Sequence, residues 1–189
     1  IAKSISIKSN VSTFDEVTAL LKKSNGVFAI FECLCRKKKS LQGKKCKVTD
    51  RKETCMAVGD FAQMAMDNGM GRRIELDEAI SILEKNQKQG LVLQPSNTKQ
   101  ADFICSCCGC CCGMLRIHKS IPKPMDFWAS NFYAKIDASK CNGCEICEKR
   151  CQAGAVKLIE NTQVSIIDLN RCLGCGLCVT TCPKKAITL

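Results

Sequence analysis

The order of apolar and polar positions predicts a mixture of helices and strands in the first two thirds of the chain. A capping-box pattern predicts a helix over 13–23, and the apolar run 27–31 predicts a buried strand. Residues 54–68 and 78–89 are each followed by a glycine and predict two further helices. The short apolar run 91–93 predicts another strand. This order of elements indicates a small α/β or α+β domain.

The last third has a different pattern, with short apolar segments between polar loops. Residues 156–159 and 164–167 are apolar around a polar turn, which predicts a hairpin. Residues 133–136 and 186–189 are expected to pair as the terminal strands of this region, and 121–124 predicts a stiff proline-containing linker before it. So small a region has little apolar core, so something besides apolar packing must hold it together.

Cysteine changes this picture. The chain has 18 Cys among 189 residues, a density typical of either a disulfide scaffold or a metal protein. Disulfides need an oxidising compartment, and residues 1–10 have neither the apolar core nor the cleavage site of a signal peptide. The adjacent cysteines in the run CSCCGCCCG, at 105–113, are also poor disulfide partners. The composition therefore favours metal binding.

Two copies of one cysteine motif lie at the end of the chain. The pattern C-x2-C-x2-C-x3-C begins at Cys141 and again at Cys172, 31 positions later. In this spacing, three cysteines wrap the irons of one cube and the fourth points at the other cube. The sequence therefore predicts two [4Fe-4S] clusters with crossed ligands. The first set is Cys141, Cys144, Cys147 and Cys182, and the second is Cys172, Cys175, Cys178 and Cys151.

The motif and its spacing over 132–189 resemble the bacterial two-cluster ferredoxin. The expected fold class is therefore α+β, with a small cysteine-rich α/β domain followed by a ferredoxin-like two-cluster module. We place the cysteine-rich iron–sulfur domain at 1–124 and the module at 125–189. Gln152 departs from the resemblance, because the family usually has proline at that position.

The first domain contains ten further cysteines, and nothing else in it supplies soft ligands for iron. They form an early group and a late group, namely Cys33, Cys35, Cys46 and Cys55, and Cys105, Cys107, Cys108, Cys110, Cys111 and Cys112. One division is four plus four with two left over, either group by group or with sets that mix both groups. We therefore expect one or two further iron–sulfur clusters in this domain.

A second division, five plus five, follows from the tripeptide CCG, which occurs at 107–109 and 111–113. The pair resembles the CCG motifs of the heterodisulfide-reductase catalytic subunit, whose noncubane clusters use five thiolates each and cleave disulfides. The resemblance covers only the tripeptides. Gly109 and Gly113 are expected to let the backbone pass close to a cluster.

Four other features of the first domain and linker bear on function. Arg36 follows Cys35 directly and is a candidate hydrogen-bond donor to a cluster sulfur, with a solvated position as the alternative. Residues 37–47 predict a basic loop that either steers an acidic redox partner or is simply solvated. His118 is the only histidine, and we expect it at the surface or at a helix end rather than on a metal. Trp128, Phe127 and Phe132 are expected to pack the linker against one of the domains.

The stretch from CLCR at 33–36 to CSCCGCCCGMLR at 105–116, followed by the two-cluster motif, is similar to a family of [4Fe-4S] proteins of anaerobic metabolism. The resemblance covers nearly the whole chain. It implies an iron–sulfur electron carrier, which is expected in an anaerobic cytoplasm because exposed clusters are sensitive to oxygen.

Charge and hydropathy limit the classes of partner. The formal charge is +11, but three clusters at about −2 each, with their thiolates, would reduce it to about +5. This compensation and the aromatic content of 5% argue against nucleic acid as a partner. No apolar run approaches the roughly 20 residues of a transmembrane segment.

We therefore expect a protein that relays low-potential electrons through several [4Fe-4S] clusters to a partner oxidoreductase. One alternative is an enzyme with a heterodisulfide-reductase-like cluster that reduces a disulfide or another small substrate. The other is a redox subunit or sensor of a larger complex. An electron carrier or oxidoreductase subunit is favoured over a stand-alone enzyme.

Overall fold

The computed structural model describes residues 9–24, 26–98 and 101–189. The signal-peptide prediction concerned residues 1–10, of which 1–8 lie outside the described residues. None of the helices in the described ranges is long and apolar enough to cross a membrane.

The described elements follow one another in this order. The first two thirds contain β1 (Ser9–Asn10), α1 (Phe14–Lys23), β2 (Phe28–Glu32), α2 (Leu34–Leu41), β3 (Glu53–Val58), α3 (Asp60–Asp67), β4 (Gly71–Ile74), α4 (Leu76–Gln89), β5 (Val92–Pro95), β6 (Phe103–Cys107) and α5 (Gly113–Ser120). The last third contains a 3₁₀ turn (Pro124–Asp126), β7 (Trp128–Ala129), β8 (Lys135–Ile136), α6 (Ile146–Arg150), β9 (Val156–Leu158), β10 (Ser165–Ile167), α7 (Leu177–Thr181) and β11 (Ile187–Thr188).

Five strands form one antiparallel sheet in the order β4-β2-β3-β6-β5. Successive side chains of a strand point to opposite faces. Phe28 and Ile30 of β2 accordingly pack with α1 and α4, while Ala29 packs with α3 on the other face. Helices cover both faces, which explains why the strand predicted over 27–31 is apolar without alternation.

The structure confirms the first helix and its capping box. The Thr13 hydroxyl accepts from the Glu16 N–H at 3.3 Å, and the Glu16 carboxylate accepts from the Thr13 N–H at 2.9 Å. The helix predicted over 54–68 is wrong in its first part, where β3 lies in the middle of the sheet. Pairing on both edges of β3 outweighs the local helical signals, and α3 begins only after Gly59, which has φ +62°.

Other predicted boundaries also move. The basic loop predicted over 37–47 is helical in its first part, because α2 runs to Leu41 through residues that favour helix. Residues 42–52 have no helix or strand. The helix predicted over 78–89 begins at Leu76, and the strand predicted over 91–93 becomes β5.

The last third repeats one backbone conformation. β9 pairs with β10 as the predicted hairpin, and β8 pairs with β11 as the predicted terminal strands. Positive φ angles recur 31 positions apart, at 60° and 75° for Glu145 and Gly176, and at 69° and 49° for Gly154 and Lys185. Two of these four residues are not glycine, so the duplicated conformation persists against their local preference.

One apolar core joins the two parts of the chain. Leu115 of α5 and Trp128 of β7 are buried in the same cluster as Leu173 and Leu177 from the last third. Apart from the parallel pair β1–β7, the described strands pair antiparallel, and with the separate helices they make the protein α+β, as the sequence predicts. The domain boundary between residues 124 and 125 stays a prediction.

Two arginines of the last third bind the C-terminal ends of helices in the first part. Arg150 Nη2 donates to the carbonyls of Gln87 and Lys88 at the end of α4, each at 2.6 Å. Arg171 donates to two carbonyls at the end of α5, at 3.4 and 3.1 Å. The last carbonyls of a helix are unsatisfied and carry partial negative charge, so these bonds fix the two parts together.

Candidate metal centres

The eight C-terminal cysteines line two separate voids. The first is lined by Cys141, Cys144, Cys147 and Cys182, and the second by Cys151, Cys172, Cys175 and Cys178. These are the two crossed sets expected from the spacing. The crossing arises because Cys151 ends α6 and Cys182 ends α7, so each helix carries its last thiol from one void to the other.

Backbone N–H groups point at sulfurs in both voids. The Ala155 N–H donates to Cys151 Sγ at 3.3 Å, and the same bond recurs one repeat later between Ala186 and Cys182 Sγ, also at 3.3 Å. N–H···S bonds stabilise a thiolate and tune the reduction potential of a cluster. Four thiolates with such donors fit the ligand set of a [4Fe-4S] cluster.

Most residues that line the second void are apolar, among them Val156, Leu173 and Leu177. Burial raises the pKa of Cys175 and Cys178 to about 12, because a thiolate loses its solvation there. As free thiols these two groups stay protonated at neutral pH. A bound cation must therefore displace the protons, which is what a metal cluster does when it binds cysteine.

The N-terminal cysteines do not divide into the early and late groups. Cys46 of the early group lies beside three members of the late group, Cys108, Cys110 and Cys111, and all four sulfurs are within 4.8 Å of one another. The pairs Cys46–Cys108, Cys46–Cys110, Cys108–Cys110 and Cys110–Cys111 are 3.6, 3.8, 3.5 and 3.7 Å apart. We call this the four-thiol site. No other group of His, Cys, Asp or Glu in 9–24, 26–98 and 101–189 is as tightly clustered.

The remaining six N-terminal thiols form a closed ring in which each sulfur interacts with two neighbours. In ring order they are Cys33, Cys35, Cys112, Cys107, Cys105 and Cys55. Starting at Cys33, every second thiol has a lowered pKa, because hydrogen bonds from its two neighbours stabilise its thiolate. The pKa values of those neighbours are raised in turn. The ten thiols therefore lie in a group of four and a group of six, which leaves room for a division of four plus four with two left over, drawn from both the early and the late cysteines.

Local structure places the six-thiol ring. Cys33 and Cys112 are the N-cap residues of α2 and α5, where helix N–H groups favour a thiolate. Cys105 and Cys107 are two residues apart on β6, so they share one face of the strand, and Cys55 lies on the neighbouring β3.

Arg36 lies close to both N-terminal thiol groups and is only 7% exposed. Its Nη1 donates to the Ser106 carbonyl at 3.2 Å. Burial lowers the pKa of Arg36, but Cys33 and Cys55 of the ring and Cys108 of the four-thiol site outweigh it and raise the pKa. Arg36 is therefore a buried countercharge to the thiols, and the solvated alternative is wrong.

Gly109 joins the four-thiol site to the C-terminal region. Its N–H donates to Gln152 Oε1 at 2.8 Å, and a Cβ at this position would lie 2.6 Å from the Gln152 carbonyl oxygen. Gln152 follows Cys151 of the second void, so the residue that departs from the ferredoxin proline makes this contact. The absence of the usual proline is visible in the sequence, but the contact of Gln152 with Gly109 is not. At Gly113, by contrast, a Cβ would meet nothing within 4 Å.

Residues 134–189 match the family model of a 4Fe-4S dicluster domain. The chain is therefore an iron–sulfur protein. A search of curated proteins gives no match for the chain. The matched region of this iron–sulfur protein contains both crossed sets, whereas the ten N-terminal cysteines lie outside it.

His118 of this iron–sulfur protein is in the last turn of α5, as expected, but the surface position is wrong because its side chain is fully buried. It lies on the same face of α5 as Leu115, three residues earlier, and its ring packs edge-on against Trp128 with centroids 5.0 Å apart. Burial lowers the pKa of His118 to about 4, so the imidazole is neutral at pH 7. Trp128 itself packs in the shared core, as predicted, but the same prediction is wrong for Phe127 and Phe132, whose side chains are exposed.

Proposed function

We propose that this protein transfers electrons through iron–sulfur clusters to a partner oxidoreductase. The observation that carries the proposal is the pair of voids, each lined by four thiols, within a region that matches a dicluster family. The clusters supply one-electron redox chemistry when bound. The two crossed cysteine sets would hold the clusters, and the N–H···S bonds to Cys151 and Cys182 would tune their potentials.

The six-thiol ring is a third iron–sulfur site in this proposal. Its members Cys107 and Cys112 belong to the same buried cluster as Cys172 of the second void, so the two sites share one low-dielectric region. Arg36 offsets the negative charge that a thiolate-bound cluster adds to the interior. Clusters held by the two C-terminal sets and by the ring would supply successive one-electron sites, and the second set and the ring would be neighbours in such a relay.

A basic surface supports an acidic partner. Lys44, Lys45 and Lys47 are exposed in the irregular segment 42–52, and α2 presents three consecutive lysines beside it. Clustered surface charge of one sign steers a partner of opposite charge. A low-potential carrier in an anaerobic cytoplasm is the setting that this part of the proposal assumes.

The route of the electrons is open to direct test in anaerobically purified full-length protein. Cys178→Ser should remove the second cluster and slow reduction of the ring site by the first cluster, measured by freeze-quench electron paramagnetic resonance. The matched variant Cys144→Ser removes the first cluster and should leave transfer from the second cluster intact. A protein without any reversible one-electron step would contradict the proposed function.

One observation favours a second candidate function, the reduction of a small substrate in a cavity that lies between the six-thiol ring and the four-thiol site. A cavity of about 380 Å³ lies against Cys33, Arg36 and Cys46, with Lys44 and Lys45 also in its wall. Ligand sites commonly have volumes of about 300–1,000 Å³. Arg36, Lys44 and Lys45 place positive charge in the wall of this cavity, which would attract an anionic group.

The second candidate makes a different prediction from the first. Adding a small anionic disulfide to the reduced protein should reoxidise its clusters by two electrons per disulfide and yield two thiols after uptake of two protons. Lys44→Ala with Lys45→Ala should weaken the reaction, whereas Lys22→Ala with Lys23→Ala, on exposed α1, should not. Clusters that stay reduced in the presence of the disulfide favour the carrier alone.

A further inference from the structure

The four-thiol site has the dimensions of a single metal ion. An ion bound tetrahedrally with metal–sulfur bonds of about 2.3 Å holds its sulfurs about 3.8 Å apart. Four of the six sulfur pairs of the site are 3.6, 3.8, 3.5 and 3.7 Å apart, and all lie within 4.8 Å. The sulfurs therefore surround a space that fits one ion.

A cube requires a wider ligand set, because its four irons and four sulfides stand between the cysteine sulfurs. The crossed sets of the C-terminal region show this difference within the same molecule. Neither of them forms a group with all sulfurs within 4.8 Å, although each lines one void. The chain thus has two kinds of four-cysteine site. In the two crossed sets the sulfurs lie far apart, and in the four-thiol site they lie close together.

A divalent ion with four thiolates carries a net charge of about −2, and the surroundings of the four-thiol site offset that charge. The Val48 N–H donates to Cys46 Sγ at 3.4 Å. Arg36 lies beside Cys108, and the exposed Lys44, Lys45 and Lys47 flank Cys46 in sequence. Positive charge is therefore close to the thiolates without occupying the site.

The position of the site gives the ion a structural task. Cys46 lies in segment 42–52, which has no helix or strand, and its other ligands lie in the turn between β6 and α5. Apart from Val48, few apolar residues anchor this basic segment to the core. A metal ion that ties the segment to Cys108, Cys110 and Cys111 would hold it in place, because metal binding contributes directly to folding free energy.

We propose that Cys46, Cys108, Cys110 and Cys111 bind one tetrahedral zinc ion rather than an iron–sulfur cube. Zinc fits because it has no redox chemistry and its structural sites are closed shells of four protein ligands. The proposal goes beyond electron transfer and does not depend on it. In this proposal the four-thiol site stabilises the fold of the N-terminal domain, and the redox clusters bind at the six-thiol ring and the two C-terminal voids.

Metal analysis of the full chain, purified without oxygen, tests the proposal. Wild-type protein should contain about one zinc per chain besides its iron. Cys110→Ser should lose that zinc and keep its iron, while the control Cys178→Ser should lose about four irons and keep its zinc. Loss of four irons in Cys110→Ser would overturn the single-ion site, and loss of one iron would overturn the choice of zinc.

X-ray absorption on the unmutated protein keeps the test valid if a variant fails to fold. At the zinc edge we expect four sulfur neighbours at about 2.3 Å and no heavier neighbour. Oxygen or nitrogen neighbours, or no stoichiometric zinc, would refute the proposal. The same sample reports its iron content, so failure here leaves the proposed electron transfer separately testable.

Discussion

Replacing Gln152 by proline tests the contact between the four-thiol site and the C-terminal region. The backbone accepts proline there, because Cys151 has φ −71° and ψ 108°, nearly the same as φ −73° and ψ 110° at Cys182. Cys182 is followed by Pro183, the position equivalent to Gln152 in the second repeat. Gln152→Pro therefore makes the first repeat resemble the second and should leave both C-terminal clusters in place.

The cost of this substitution falls on Gly109. Its buried N–H loses the 2.8 Å bond to Gln152 Oε1 and gains no other acceptor from proline. Leaving a buried donor unsatisfied costs about 1–3 kcal/mol. A loss of about 2 kcal/mol corresponds to roughly 30-fold more frequent local opening of this turn.

Hydrogen exchange measured by mass spectrometry on the cluster-loaded protein under argon reads this opening directly. Peptides covering residues 105–112 should exchange roughly 30-fold faster in Gln152→Pro, whereas peptides from α1 should not change. Gln152→Glu keeps a carboxyl oxygen as acceptor and should stay close to wild type. Unchanged exchange at 105–112 in Gln152→Pro would refute the assigned role of this contact.

Three further predictions concern single positions. Gly174→Ala should lose the second cluster, about four irons per chain, because Gly174 has φ +62° and a Cβ there would collide with the Phe132 carbonyl oxygen; Gly113→Ala, which has room, should keep all its iron. Glu145→Gly should relieve a φ of 60° and stabilise the fold by about 1 kcal/mol, seen as slower loss of visible absorbance in denaturant. His118 has a pKa of about 4 in the fold against 6.5 unfolded, so its contribution to stability is present above pH 6.5 and is lost as the pH falls towards 4. The denaturant midpoint of His118→Phe should therefore fall less with decreasing pH than that of the wild type. Midpoints that fall equally in both proteins would contradict this prediction.

The duplicated part of the fold could be predicted from the sequence because its signals are local. Cysteine spacing, the polar turn between two apolar segments and the repeat of 31 positions all lie within short stretches. The two crossed sets follow from the same spacing, and the structure places their thiols around two voids. The α+β class followed from helix caps and apolar runs in the same way.

The four-thiol site depends on contacts between residues that are far apart in the chain, so the sequence signals for it are weaker. Cys46 pairs with Cys108 and Cys110 across more than 60 positions, so no spacing rule joins them. The strand β3 was hidden because its hydrogen bonds come from β2 and β6, which are distant in sequence. His118 was misplaced for a similar reason, since only the packing of Trp128 against α5 makes its helix face internal.

The most direct test of the account is the iron and acid-labile sulfide content of the full chain, purified and measured without oxygen. Two C-terminal clusters and one cluster in the six-thiol ring predict about twelve irons with equal sulfide. A value of about eight would contradict the ring cluster. Protein that is folded yet free of iron and sulfide would contradict the central claim that its thiolates hold redox clusters.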